Sequence, residues 1–296
     1  MRKQFVKTIE EILEKDKRLI LLLGDIGVFG FNNAFKKYPD RVYNIGILEQ
    51  SMVSMASGLA MTDFIPVLHT IAPFLIERST EQIKNDFCYQ KLGGNFISVG
   101  ASYDYSALGC THHCPADVGI LKNLPSMEII LPGTAEEFDC LFKKAYSNSN
   151  PTYFRLTERN NKKSYDVNFG KAKIIKKGKL ATIIAVGTML DRIIEAAKDI
   201  DVTILYYTTL EPFDFKTLKN NAKSKKIILC EPYYSGALTT DIINTFKNDS
   251  IELHFIGIAK EFLREYGKAE EHDELLSLSE NKIRRKIKNI CKIRKN

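Results

Sequence analysis

Short apolar runs alternate with amphipathic segments along most of this 296-residue chain. The apolar runs are rich in β-branched residues and too short for helices of usual length, so we interpret them as buried strands. In the first half, strands are predicted at residues 18–23, 42–47, 65–70, 96–100, 127–132 and 152–156. The segments between them predict helices at residues 50–61, 79–91, 116–123 and 135–147. Such alternation is typical of a largely parallel sheet with helices on both faces.

A polar stretch without periodicity, residues 159–171, divides the chain near its middle. Beyond it the alternation resumes, with strands predicted at residues 179–186, 201–207, 225–230 and 251–258, and helices at 191–197 and after Gly236. The chain length also suits two domains rather than one. We therefore predict an α/β protein with two doubly wound, largely parallel sheet domains, at residues 1–160 and 171–296.

The net charge of +7 arises at the C-terminal end of the chain. Of the 43 Lys and Arg residues, eight lie in residues 281–296, which leaves 35 against 36 acidic residues elsewhere. In this basic segment isoleucines recur at helical spacing, at Ile283, Ile287, Ile290 and Ile293. We therefore expect a terminal helix that docks one apolar face, and the alternative is a basic arm for nucleic acid or membrane.

Neither a membrane span nor a secretion signal is expected from the sequence. No apolar run approaches the roughly 20 residues that cross a bilayer, and no apolar signal core follows the N-terminal segment. The six cysteines are dispersed along the chain and are expected to be reduced thiols. These features indicate a cytoplasmic protein with no nucleic-acid or membrane partner.

Ligands of parallel α/β sheets bind where the strands end, which directs attention to residues 24–27, 46–50, 72–74 and 109–114. Glu49 follows an apolar strand and precedes a helix of small and apolar residues. A partly desolvated carboxyl there would have a raised pKa, and its protonated form would donate a hydrogen bond to a ring nitrogen. The alternative is a charge placed in the first turn of the helix, where the helix dipole favours it.

The loop Cys110-Thr111-His112-His113-Cys114 resembles a metal clip only superficially. Four ligands within five residues do not easily surround one tetrahedral zinc ion, so we expect no metal site there. A histidine in such a loop is better suited to proton transfer or hydrogen bonding. Gly24-Asp25-Ile26-Gly27 lacks the glycine spacing of a dinucleotide site.

Four segments in order, residues 44–61, 72–86, 109–137 and 151–156, resemble the C-terminal half of transketolase, as carried by bacterial split transketolases. The resemblance continues through residues 186–197 and 235–242. These segments are also similar to 1-deoxyxylulose-5-phosphate synthase. It implies a pyrimidine-binding domain at residues 1–160 and a transketolase C-terminal-like domain at 171–296. The implied activity is transfer of a two-carbon ketol unit from a ketose to an aldehyde or aldose acceptor with thiamine diphosphate.

The resemblance also implies roles for individual residues. Glu49 matches the glutamate that hydrogen-bonds the aminopyrimidine ring of thiamine diphosphate, and Phe74 matches the aromatic residue stacked on that ring. His112 matches a histidine near the reactive carbon and the substrate hydroxyls. Asp25 is a weaker cofactor-binding candidate. Further substrate-binding candidates are His113, His69 and Arg159, whereas Arg78 and Gln82 match family positions that we expect to be structural.

The diphosphate-binding half of the family site has no counterpart in this sequence. The family holds Mg²⁺ through Gly-Asp-Gly and a later Asn, which supply hard oxygen ligands, whereas this chain has Gly24-Asp25-Ile26. The resemblance therefore implies a partner, an N-terminal-half transketolase subunit that holds Mg²⁺ and the diphosphate, in an α₂β₂ assembly.

Two departures from the family pattern concern the substrate. An acidic family position before the histidine is Leu108 here, and the phosphate-binding arginine position is Glu158, with Arg159 one residue later. Since a glutamate repels phosphate, we expect the acceptor to differ from an ordinary pentose phosphate. The expected acceptor is a modified or nucleotide-linked sugar. Two alternatives stay open: the beta subunit of a 2-oxo acid dehydrogenase, and a non-catalytic regulatory subunit of the same fold.

Overall fold

The computed structural model describes residues 1–292 and contains two sheets with helices packed on them. Within this range the strands are β1 (Leu19–Leu23), β2 (Val42–Asn44), β3 (Ile65–Ile71), β4 (Gly94–Val99), β5 (Glu128–Ile130), β6 (Pro151–Arg155), β7 (Lys173–Lys176), β8 (Thr182–Val186), β9 (Thr203–Tyr207), β10 (Thr209–Glu211), β11 (Lys226–Tyr234) and β12 (Glu252–Ile258). The helices are α1 (Arg2–Lys15), α2 (Asn32–Lys37), α3 (Glu49–Ala60), α4 (Thr80–Gln82), α5 (Asp117–Leu121), α6 (Ala135–Ala145), α7 (Leu190–Ala196), α8 (Phe215–Asn221), α9 (Thr239–Thr245), α10 (Ala269–Leu275) and α11 (Glu280–Ile290). Wider π-type helical turns at Pro73–Glu77 and Ile83–Tyr89 flank α4.

Both sheets are largely parallel. The first has the order β10-β5-β6-β4-β3-β1-β2, and only β10 runs antiparallel to its neighbour. The second has the order β12-β11-β8-β9-β7, and only β7 runs antiparallel. The predicted α/β fold with two largely parallel sheets is therefore confirmed.

Strand β1 shows why the first sheet is buried on both faces. Leu19, Leu21 and Leu23 pack into one apolar cluster with residues of α1 and α6, whereas Ile20 and Leu22 pack into the opposite cluster with α3. Successive side chains of a strand point to opposite faces, so an unbroken apolar run fits a strand between two helical layers. With both faces covered, the edge formed by the carboxyl ends of the strands is where a ligand can reach the sheet.

The domain boundary between residues 160 and 171 stays a prediction. One strand from beyond this boundary belongs to the first sheet. Strand β10 lies in the second half of the sequence but pairs with β5 at the edge of the first sheet. Three residues are too few to show a period of two, so the hydrophobic pattern did not predict this strand. The second half of the chain thus completes the first sheet.

The C-terminal helix α11 confirms the predicted terminal helix. It packs on α7, with Ile283 and Ile287 fully buried and Ile290 partly buried in the core cluster. The predicted contact of Ile293 lies outside the described residues. Within residues 1–292, no helix combines the length and the apolar character needed to cross a membrane.

Candidate active site

The carboxyl ends of the first sheet carry three of the candidate residues predicted from sequence. Glu49 is the first residue of α3, Phe74 lies in the helical turn after β3, and His112 lies in the loop after β4. These positions come from segments far apart in the sequence. The sheet brings them together because parallel strands end at the same edge.

Glu49 combines nearly complete burial with one unused hydrogen-bonding atom. Its side chain is 1% exposed, and its Oε2 accepts a hydrogen bond from Arg78 Nη1 at 2.7 Å. Its Oε1 is buried and has no hydrogen-bond partner among the described residues. Since a buried carboxylate oxygen without a partner is costly, this atom is the natural contact for a hydrogen-bonding ligand. Glu49 also lies in the first turn of α3, as the alternative interpretation expected.

Arg78, expected from sequence to be structural, connects Glu49 to the other two candidates. Its guanidinium carbon lies 4.4 Å from the centroid of the Phe74 ring, a distance at which a cation and an aromatic face attract each other. The Phe74 ring in turn meets His112 edge to face, with 5.3 Å between ring centroids. Thr111 Oγ1 lies 3.0 Å from His112 Nδ1, within hydrogen-bonding distance. Glu49, Phe74 and His112 therefore form one contiguous group.

The two adjacent histidines of this loop occupy different environments. His113 is 5% exposed, and neither of its ring nitrogens has a hydrogen-bond partner among the described residues. It lies edge to face with His272 of α10 at 5.6 Å, and it lines a cavity of about 370 Å³ between residues of the two halves of the chain. Burial and, to a lesser extent, His272 lower its pKa. The structure thus packs His113 against α10, whereas His112 meets the ring of Phe74.

The structure does not support His69 as a substrate ligand. The side chain is buried in the first sheet, with Nδ1 2.9 Å from the carbonyl oxygen of Ile97 and its ring against Phe5. The loop at Gly27 covers the rest of the imidazole, because a Cβ at that position would lie 3.1 Å from His69 Cδ2. Burial lowers the pKa of His69 to about 4, so it is a neutral core residue.

Arg159 is engaged through one terminal nitrogen, whereas its buried Nη2 has no hydrogen-bond partner among the described residues. Its Nη1 donates to both carboxylate oxygens of Asp273, at 2.9 and 2.8 Å. Asp25 is exposed at the end of β1, and its carboxylate accepts a hydrogen bond from Asn44 Nδ2 at 3.0 Å. Asp25 therefore lies at the same sheet edge as the three grouped residues, with one carboxylate oxygen already engaged.

A buried ion pair behind the site was missed by the motif analysis. Asp117 and Arg155 are 0% and 1% exposed at the side chain, and Arg155 Nε donates to Asp117 Oδ2 at 2.6 Å. The same oxygen accepts from the hydroxyl of Tyr153. The signal was present in the sequence, because an arginine inside an apolar strand needs a buried partner. Within residues 1–292, no cluster of three or more His, Cys, Asp or Glu side chains forms a metal site.

Comparison with known families identifies the two halves of the chain. Residues 1–163 match the family model of the transketolase pyrimidine binding domain. The chain belongs to the transketolase family. Residues 170–283 match the model of the transketolase C-terminal domain. Membership of this family implies the use of thiamine diphosphate.

Three proteins illustrate what the chain is similar to. An uncharacterized 33.6 kDa protein in the fasciation locus of Rhodococcoides fascians is 34% identical over 96% of this chain and 92% of its own length. An apulose-4-phosphate transketolase subunit of Actinobacillus succinogenes is 29% identical over 70% of this chain and 71% of its own. The solved structure of a split gene transketolase, described as an inactive beta4 tetramer, has the same fold, with a TM-score of 0.86 over 99% of this chain and 98% of that one at 24% identity.

Proposed function

We propose that this chain is one subunit of a split, thiamine diphosphate-dependent transketolase that transfers a two-carbon ketol unit from a ketose to an aldehyde or aldose acceptor. The observation that carries the proposal is the buried Oε1 of Glu49, which has no partner among the described residues. Arg78 links Glu49 to the ring of Phe74. An acceptor atom and an aromatic ring joined by one arginine fit a flat, nitrogen-containing ring. Family membership supports the same conclusion.

In the proposed site, Glu49 Oε1 would hold a proton toward a ring nitrogen of the aminopyrimidine, and Phe74 would contribute the aromatic wall for that ring. Arg78 holds Glu49 through its bond to Oε2 and keeps the other oxygen directed at the cofactor. When bound, thiamine diphosphate supplies the electron sink that carbon–carbon bond cleavage requires. His112, with Nδ1 facing Thr111, keeps Nε2 for a substrate hydroxyl or for moving a proton at the acceptor oxygen.

The proposed partner is an N-terminal-half transketolase subunit that carries Mg²⁺ and the diphosphate site, in an α₂β₂ complex. Three large apolar residues near the site edge support a partner surface there: Phe29, Ile47 and Leu48 are 91%, 66% and 56% exposed. Exposed apolar groups clustered on one surface are typical of an interaction surface. The name of the Actinobacillus relative, which describes one subunit of a transketolase, is consistent with an enzyme of more than one kind of chain.

The test is reconstitution of the full chain with a separately encoded protein that carries the Gly-Asp-Gly and Asn metal motif. We expect thiamine diphosphate-dependent ketol transfer only from the pair. Glu49→Gln should lower kcat of the complex by about 100-fold or more, since proton transfer by a positioned group contributes that much. The control is Glu81→Gln, which changes an exposed glutamate of α4.

Full activity of the Glu49→Gln complex would contradict the cofactor role of Glu49 and favour a regulatory subunit. Decarboxylation of pyruvate by the reconstituted pair would instead favour the beta subunit of a 2-oxo acid dehydrogenase. In both experiments, size-exclusion chromatography verifies that the complex has formed.

A further inference from the structure

One carboxylate of the second half of the chain binds two arginines at the edge of the first sheet. Asp273 of α10 accepts hydrogen bonds from Arg159 Nη1 at 2.9 and 2.8 Å, and from Arg192 Nη1 and Nη2, both at 2.9 Å. The hydroxyl of Tyr103 donates to the same carboxylate at 2.6 Å. Both oxygens of Asp273 are therefore fully engaged, and two guanidinium groups converge on one anion.

This cluster lies where a substrate of a parallel sheet binds. Tyr103 follows β4 and Arg159 follows β6, so both belong to the carboxyl ends of neighbouring strands. One further carboxyl lies close by, since Asp104 lines the same cavity as Arg159 and Arg192. Its Oδ2 accepts the backbone N–H of Glu158, the residue before Arg159, at 3.0 Å.

Two other arginines at this edge are also bound by carboxylates. Arg78 pairs with Glu49, and Arg155 pairs with Asp117. A guanidinium clamps phosphate through two parallel N–H bonds. Asp273 holds both terminal nitrogens of Arg192 but only Nη1 of Arg159, so Arg159 Nη2 stays available as a single donor. The cavity between Arg159, Arg192 and Ser102 has a volume of about 30 Å³, which is the room of a single water molecule.

Two exposed apolar side chains lie in or against the loop that carries His112. Leu108 is 53% exposed and Tyr266 is 70% exposed. The Tyr266 ring lies on Gly109, because a Cβ there would be 2.5 Å from Tyr266 Cε1. Gly109 O accepts the backbone N–H of His112 at 3.0 Å, so these apolar side chains adjoin the candidate active-site histidine.

We propose that Asp273 is a specificity-determining residue: it supplies a counter-charge to Arg159 and Arg192 and thereby favours a sugar that presents an uncharged group, rather than a phosphate, to this edge of the site. The inference rests on the proposed function in that it assumes the substrate of the ketol transfer lies here. An isolated arginine pair with the same geometry would be an anion site. Asp273 supplies the anion from within the chain and leaves an uncharged hydroxyl or apolar surface for the substrate.

The test is calorimetric titration of the full chain with ribose 5-phosphate, inorganic phosphate and ribose, without cofactor or partner. We expect the wild-type chain to bind ribose 5-phosphate no more tightly than ribose. Asp273→Asn should bind both phosphate ligands about tenfold more tightly or better, which is the effect of one charge-assisted hydrogen bond, with no change for ribose. Adding Arg159→Gln to this variant should remove the gain.

The matched control is Asp199→Asn, which removes a carboxylate paired with Arg284 of α11 at 2.5 Å. It should leave phosphate binding unchanged. Wild-type phosphate binding that is lost in Arg159→Gln would overturn the proposal, as would a folded Asp273→Asn chain without any gain. If Asp273→Asn does not fold, the wild type is compared with Arg159→Gln instead. Weak phosphate binding of equal affinity in these two chains supports the proposal. A failure of ketol transfer with any partner would refute the proposed function and leave this binding result intact.

Discussion

The buried histidine of strand β3 makes the stability of this chain depend on pH. The carbonyl of Ile97 can only accept a hydrogen bond, so the nearby His69 Nδ1 carries a proton and donates it over 2.9 Å. The second proton is disfavoured, because burial lowers the pKa of His69 from 6.5 to about 4. The perturbation that isolates this effect is His69→Asn, which keeps an N–H donor near Ile97 and cannot titrate.

The sign of the effect follows from proton binding. Between pH values of about 6.5 and about 4 the unfolded chain binds the imidazole proton and the folded chain does not, so the free energy of unfolding falls as the pH is lowered. At about pH 5 this linkage amounts to about 2 kcal/mol relative to neutral pH. Burial raises the pKa of Asp104 and of Glu231 to about 7, and these carboxyls act in the opposite direction, stabilising the fold as the pH falls. Their contribution is the same in the wild type and in His69→Asn.

The assay is urea denaturation of the wild type and His69→Asn at about pH 7.5 and about pH 5. At the higher pH the variant should be less stable, because asparagine leaves a void against Phe5. At the lower pH the difference should shrink by about 2 kcal/mol, since the proton linkage destabilises only the wild type. A stability difference that is the same at both pH values would refute the account of His69 as a neutral core residue.

Two further substitutions test the structure around the site. Asp117→Asn should lower the free energy of unfolding by about 3–5 kcal/mol, because it leaves the 1% exposed Arg155 without a counter-charge. Urea denaturation measures this change. A loss below about 1 kcal/mol would contradict the buried ion pair. Gly109→Ala should destabilise by about 1–3 kcal/mol, because φ is +75° there and Tyr266 covers the α-carbon. The control is Gly58→Ala, because a Cβ at this helical position meets no atom within 4 Å and alanine favours the helix. An equal loss of stability in both variants would contradict the role given to the Gly109 backbone.

Local pattern was sufficient for the fold and for part of the candidate site. Uninterrupted apolar runs such as residues 18–23 predicted strands covered on both faces, and the structure confirms it for β1. The order of segments along the chain placed Glu49 and Phe74 after such strands. Their proximity followed because parallel strands end at a common edge, and the structure brings both into contact with Arg78.

Pairings between distant residues could not be predicted in this way. The sequence presents Arg159 as a free cation, but its partner Asp273 is 114 residues away. Likewise, His112 and His113 are neighbours in the chain, and only the packing of α10 against the loop separates their environments. Sequence by itself determined most of the buried strands and the helices between them, because their periodicity is a local property, but it did not reveal the short strand β10. Tertiary structure alone decided which charges are neutralised, because that depends on which segments the fold brings within hydrogen-bonding distance.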